Sequence, residues 1–139
     1  MKTILITYQS KTGITKKYGE EIGKFLSEKK VKAKVVSVQD FDQKLLKDID
    51  LILLGCWTAG LMIFLQHPDK VWVKFAKELP DLKDKKVGLF TTYKLATGSM
   101  FKKMKKHLPG KMEQIQVELK SKNGSLSEQD KSVLVSLIN

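Results

Sequence analysis

The sequence predicts an α/β fold: a five-stranded, doubly wound parallel sheet with helices on both faces. Three observations point to it. Strand-like apolar runs alternate with helix-like stripes along the whole chain, and the connections between them are short. The third run, residues 49–55, carries the unbroken apolar stretch 51–54 without alternation, as a strand does when both of its faces are covered. With 139 residues, 42% of them hydrophobic, the chain is about one domain long, so residues 1–139 are expected to form one domain around one core.

Residues 4–8 read as the first strand, and residues 15–28 as a helix with Tyr18, Ile22, Phe25 and Leu26 on one stripe. A second strand is expected over 34–38, a short helical segment over 41–46 and the buried third strand over 49–55. Pro68 suits the first turn of the next helix, where Val71, Val73, Phe75, Ala76 and Leu79 would face inward before Pro80 ends it. Residues 87–90 form the fourth strand and 98–108 a helix. Over 113–119, Ile115, Val117 and Leu119 alternate with polar neighbours, the mark of an edge strand. The run Ser127-Glu128-Gln129-Asp130 resembles a capping box opening a last helix that buries Val133, Leu134, Leu137 and Ile138. Connections this short favour right-handed crossovers, and ligands of such sheets bind beyond the carboxyl ends of the strands.

Composition narrows the chemistry. Apolar runs such as 51–54 and 61–65 fall far short of the roughly 20 residues of a membrane span. The first eight residues read as a strand and not a signal peptide, which predicts a cytoplasmic protein. One cysteine, Cys56, and two distant histidines, His67 and His107, predict neither a disulfide framework nor a metal site. The 26 basic residues against 15 acidic give a net charge of +11, yet every cation is lysine. A nucleic-acid reader would ordinarily use guanidinium groups, so no nucleic acid is expected and the lysines read as a solvated surface. The densest group, Lys102, Lys103, Lys105 and Lys106, reads as the outer face of an amphipathic helix suited to an acidic partner.

Three loops at strand ends are the places to look for chemistry. The first, Ser10-Lys11-Thr12-Gly13-Ile14-Thr15, offers hydroxyls, a lysine and the free N–H groups of a helix N-terminus. It lacks the nucleoside-triphosphate and dinucleotide fingerprints, so a phosphomonoester fits better. The simpler alternative is a polar turn with Thr15 as helix cap. Residues 6–15, followed by Gly19 and Ile22, resemble the flavodoxin signature, with Thr7 where an apolar residue is usual and Gly19 where alanine is usual. The resemblance extends in element order over the whole chain, and the length is similar to that of short-chain flavodoxins.

That resemblance implies FMN, with its phosphate in the first loop. It implies that the second loop, Cys56-Trp57-Thr58-Ala59-Gly60, flanks the ring, with Trp57 stacking and Ala59 and Gly60 leaving the peptide free to reorient. It also implies that the third loop, through Thr92, Tyr93, Lys94 and Gly98, holds the pyrimidine end by backbone N–H groups. Trp57 and Tyr93 could instead be ordinary structural aromatics, and Cys56 reads as a buried thiol at a strand end and not a nucleophile. Flavodoxins are usually acidic around the flavin, whereas residues 51–68 and 85–112 contain no carboxylate here. The expected function is electron transfer to a redox partner protein, acidic by charge complementarity. Two alternatives are a flavin-dependent reductase or oxidase whose apolar rim at Ile63 and Phe64 holds an aromatic small-molecule substrate, and a flavin-free binding module of the same fold.

Overall fold

The structure, a computed structural model, describes residues 3–61, 64–108, 110–112 and 114–139, with residues 61 and 64 described by their backbone. Strands β1 (Thr3–Gln9), β2 (Lys32–Ser37), β3 (Leu51–Trp57), β6 (Lys86–Thr92) and β7 (Ile115–Ser121) form one sheet. Their order is β2-β1-β3-β6-β7 and every pair is parallel. Helices α1 (Ile14–Glu28), α2 (Lys70–Glu78), α3 (Met100–Lys106) and α4 (Glu128–Ile138) cover the two faces.

Alternation along the central strands builds a core on each side. Leu5, Ile52, Leu54 and Leu89 meet Trp72 and Ala76 of α2 and Met100 and Met104 of α3. Ile4, Ile6, Leu51, Leu53 and Phe90 meet Tyr18, Ile22 and Leu26 of α1 and Leu134 of α4. The one expected core is therefore two half-cores separated by the sheet. Strand β7 is an edge, as its alternation predicts. Between the pairs Val87–Ile115 and Leu89–Glu118 it holds one residue more than β6, a bulge that turns Ile115 and Val117 toward opposite faces.

Several expectations change. Residues 38–46 form two 3-10 turns, because Ser37 accepts from the Asp40 N–H and Asp42 from the Lys44 N–H, closing each turn locally. A small antiparallel hairpin, β4 (Ala59–Leu61) and β5 (Phe64–His67), occupies what reads in sequence as a continuous apolar loop. Asp69, not Pro68, adjoins the first helical residue of α2 and caps it. Trp72 is fully buried and Val71 is 44% exposed, so the inward face of α2 is rotated from the expected one. The capping box at Ser127 and Asp130 is present with both arms; Asp130 also accepts the buried Tyr18 hydroxyl at 2.8 Å. In α4 only Leu134 of the four expected apolar residues is fully buried. At Gly19 an added methyl group would meet Ile6 and Phe90 at 3.6 Å, so close packing does not require the glycine.

Candidate functional site

The chain leaves β1 toward β2 on one side and returns to β3 on the other, so the order reverses at the carboxyl ends of β1 and β3. A cleft of about 240 Å³ lies there, lined by Lys11, Thr12, Ile14, Thr15, Trp57, Thr58, Gly60, Thr92, Tyr93, Lys94 and Lys122. A larger groove of about 330 Å³, between Phe41 and Phe75, includes no residue of the three loops.

On one side of the cleft, Gly13 begins α1 at φ 95°, a left-handed conformation natural to glycine. Ser10 Oγ accepts the Gly13 N–H at 3.0 Å and folds the loop back on itself. The first turn of α1 carries no acidic residue and no side-chain cap, which leaves a helix N-terminus suited to an anion. Thr12 is exposed at its rim. Thr15 is buried, and its hydroxyl lies 2.6 Å from that of Thr92. The group expected to face a phosphate thus ties α1 to β6.

On the other side, β3 and β6 run two residues further than their apolar cores suggest. Cys56 and Trp57 pair with Thr91 and Thr92 inside the sheet. Thr58 N–H donates to Thr92 O at 2.8 Å, Thr91 Oγ1 donates to Cys56 O at 2.6 Å, and the Thr58 and Thr91 hydroxyls meet at 2.8 Å. Beyond this lattice stands Trp57. Its indole N–H donates to Asp69 Oδ2 at 2.8 Å, and Lys11 Nζ lies 4.9 Å from its ring centroid. Tyr93 N–H donates to Ser121 O at 3.1 Å, while Lys120 and Lys122 approach the Tyr93 ring at 6.0 and 5.9 Å.

The cleft brings together ten of the fifteen expected residues; five lie off its lining. Ser10 and Gly13 shape the turn beside it. Cys56 is fully buried, and burial pushes its thiol pKa upward, so it remains a protonated thiol within the α2 and α3 core. Ala59 is buried and pairs with His67. Gly98, at φ 50°, lies where an added Cβ would come within 2.3 Å of Gln66 Oε1, so it packs on the hairpin strand β5. The apolar rim expected at Ile63 and Phe64 lies outside the described residues and side chains. Sequence reading missed Lys122 and Asp69. His107 is the C-terminal cap of α3, and burial with the nearby Lys77 and Lys106 lowers its pKa, which works against the cation that a helix C-terminus favours. Among the described residues no group of three or more His, Cys, Asp or Glu side chains could hold a metal ion, and no helix is long and apolar enough to cross a membrane.

The geometry defines a doubly wound α/β protein with a strand-end cleft, basic at its rim and aromatic in its wall. A flavodoxin domain model matches residues 5–129, and the chain belongs to the flavodoxin family, a class of flavin-binding electron-transfer proteins. Among solved structures it is similar to oxidised Flavodoxin 2 from Bacillus cereus, with 23% identity over 97% of this chain and 94% of that one and a TM-score of 0.73. It is similar to two-electron reduced Megasphaera elsdenii flavodoxin, with 23% identity over 94% and 95% of the two chains and a TM-score of 0.76. Fusobacterium nucleatum flavodoxin bound to flavin mononucleotide shares 18% identity over 99% and 98%, with a TM-score of 0.69.

Proposed function

We propose that this chain, acting as a single flavodoxin-like domain in the cytoplasm, holds FMN in the strand-end cleft and passes electrons to a protein partner. The observation that carries this reading is the convergence of an uncapped helix N-terminus and an indole wall on one cleft. The N-terminus of α1, with Lys11 and Thr12, would take the phosphate, where dipole and N–H groups favour an anion. Trp57 would lie along the ring, with Tyr93 at the opposite wall. Backbone groups of Thr58 and Gly60 and of Thr92, Tyr93 and Lys94 would border its polar edge. The fit is chemical as well as spatial: an anion site adjoins a flat, largely apolar slot, as a phosphorylated aromatic ligand requires. When bound, the flavin supplies the one- and two-electron chemistry, and the protein supplies orientation and electrostatics.

Lys11, Lys94, Lys120 and Lys122 are all exposed at this end of the sheet, and no carboxylate is among the residues lining the cleft. Opposite charges steer encounter, so the partner surface that suits this rim is acidic. The test is direct. The purified protein should show a flavin absorption spectrum, the extracted cofactor should have the mass of FMN, and stripped protein should bind FMN more tightly than riboflavin. A colourless protein that binds neither ligand would sink the proposal.

A further inference from the structure

The residue that fixes Trp57 lies outside all three loops. Asp69, between β5 and α2, uses its two carboxylate oxygens differently. Oδ1 accepts the Val71 N–H and caps α2, a task that serine, threonine or asparagine performs about as well. Oδ2 accepts the Trp57 indole N–H at 2.8 Å and the Gln9 side-chain amide at 3.2 Å. Gln9 is buried in β1, and its carbonyl accepts Gln39 Nε2 at 2.9 Å, so the amide is oriented with its N–H toward Asp69.

This arrangement calls for a carboxylate in particular. Burial raises the Asp69 pKa, but hydrogen bonds from Trp57, Gln9 and the Val71 and Trp72 N–H groups outweigh burial and hold it below the ordinary value. Asparagine could not serve both sides. With its oxygen on Val71 it would turn N–H groups toward two donors; flipped, it would lose the cap. A charge-assisted bond also holds the indole about twice as strongly as a neutral one.

We propose that Asp69 is a positioning residue for the flavin ring, anchoring the Trp57 indole as a fixed wall of the cleft without touching the ligand. The proposal rests on the flavin reading of that cleft. A wall already held in place loses less side-chain freedom when the ring binds, so the effect falls on ring affinity and not on phosphate affinity.

Asp69→Ser keeps an oxygen for the α2 cap and removes the acceptor for Trp57, whereas Trp57→Phe keeps a ring and removes the indole N–H. Affinities for FMN and riboflavin across the four combinations form a double-mutant cycle. Asp69→Ser should weaken both ligands alike, by roughly three- to tenfold, the range expected for ordering one side chain on binding. In the Trp57→Phe background it should change neither. In the stripped protein it should also move the Trp57 indole N–H resonance and speed its exchange with solvent. If Asp69→Ser does not fold, Asp69→Thr, which also keeps a capping oxygen and offers the indole no carboxylate, should give the same losses. Equal weakening in the Trp57→Phe background would mean that Asp69 acts through α2 and would overturn the proposal. Unchanged affinity in Asp69→Ser, with Trp57→Ala still weakening FMN, would overturn the positioning role and leave the flavin reading standing. A wild-type protein that binds neither flavin removes both.

Discussion

The two sides of the cleft are built by different physics. The α1 side is an exposed loop shaped by one glycine and one serine, and its contribution is electrostatic: helix dipole, free N–H groups and Lys11. The β3 and β6 side is an interlocked set of threonine hydroxyls and main-chain bonds ending in an indole tied to a carboxylate. The first side should therefore respond to charge and salt, and tolerate change without loss of fold. The second should respond to shape, and changes behind it should propagate. Lys11 is the contact between them, reaching from the α1 side to the Trp57 ring.

The largest expected effect lies on the rigid side. Trp57→Ala removes both buried area and an aromatic contact, together worth about 2 kcal/mol or more, roughly thirtyfold in affinity. FMN and riboflavin should weaken equally, and flavin fluorescence quenched by the indole should return. If the variant unfolds more readily but binds both ligands as before, Trp57 serves only the core. The matching change on the α1 side is Thr12→Ala, which should weaken FMN by about tenfold, the worth of a hydrogen bond to a charged group, and leave riboflavin unchanged. Thr15→Ala should behave differently. It strands the buried Thr92 hydroxyl at a cost of about 1–3 kcal/mol in stability, read by denaturant titration. Equal loss of both ligands in Thr12→Ala would show that the α1 N-terminus is not the phosphate site.

These two sides were also unequally legible in the sequence. The first loop and the start of α1 could be read locally, because glycine, hydroxyls and the onset of a helical stripe are adjacent in the chain. The parallel sheet and its buried central strands could be read from apolar runs such as 4–8 and 51–54, whereas the strand order and the division of the core into two half-cores have no signal in any single run. The ends of β3 and β6 were not legible. Cys56-Trp57 and Thr91-Thr92 suit a strand by residue type, but they lie beyond the aliphatic run that marks each strand, and it is their cross-strand pairing that carries the sheet through them. The hairpin was hidden for a related reason: residues 61–65 are apolar throughout and show no alternation to mark a strand. Asp69 had no local signal beyond a helix cap, since its partners Trp57 and Gln9 lie 12 and 60 residues away. Lys122 has no local signal either: it follows the edge strand β7 and reaches the cleft only because β7 lies beside β6 in the sheet.

A smaller effect is expected from the rim that the two sides share. The reduced flavin carries added negative charge, and Lys94 lines the cleft near where its polar edge would lie. Lys94→Glu should lower the midpoint potential of bound FMN, by on the order of 1 kcal/mol or less because the group is exposed and screened. It should also slow association with an acidic partner, most clearly at low ionic strength. Potentiometric titration and salt-dependent kinetics read the two effects separately. No shift in either would mean that main-chain geometry, and not rim charge, sets the behaviour of the cleft.

The smallest expected effect is a pH dependence confined to the rigid side. The folded-state pKa of Asp69 lies below its ordinary value, because hydrogen bonds led by those from Trp57 and Gln9 outweigh the opposing effect of burial. A depressed carboxylate contributes stability that is fully present above the unfolded-state pKa, roughly 4, and is lost as pH falls through the folded-state value. Wild type should therefore exceed Asp69→Ser in stability near neutrality, and the difference should shrink progressively below about pH 4. The Trp57 indole resonance should change over that same window, while Thr12→Ala, on the other side of the cleft, should run parallel to wild type throughout. Denaturant titrations of the three proteins from pH 3 to 7 provide the measurement. A constant gap between wild type and Asp69→Ser would mean that the carboxylate's charge adds nothing to its role as a helix cap, and the contrast between an electrostatic side and a rigid side would lose its one anionic anchor.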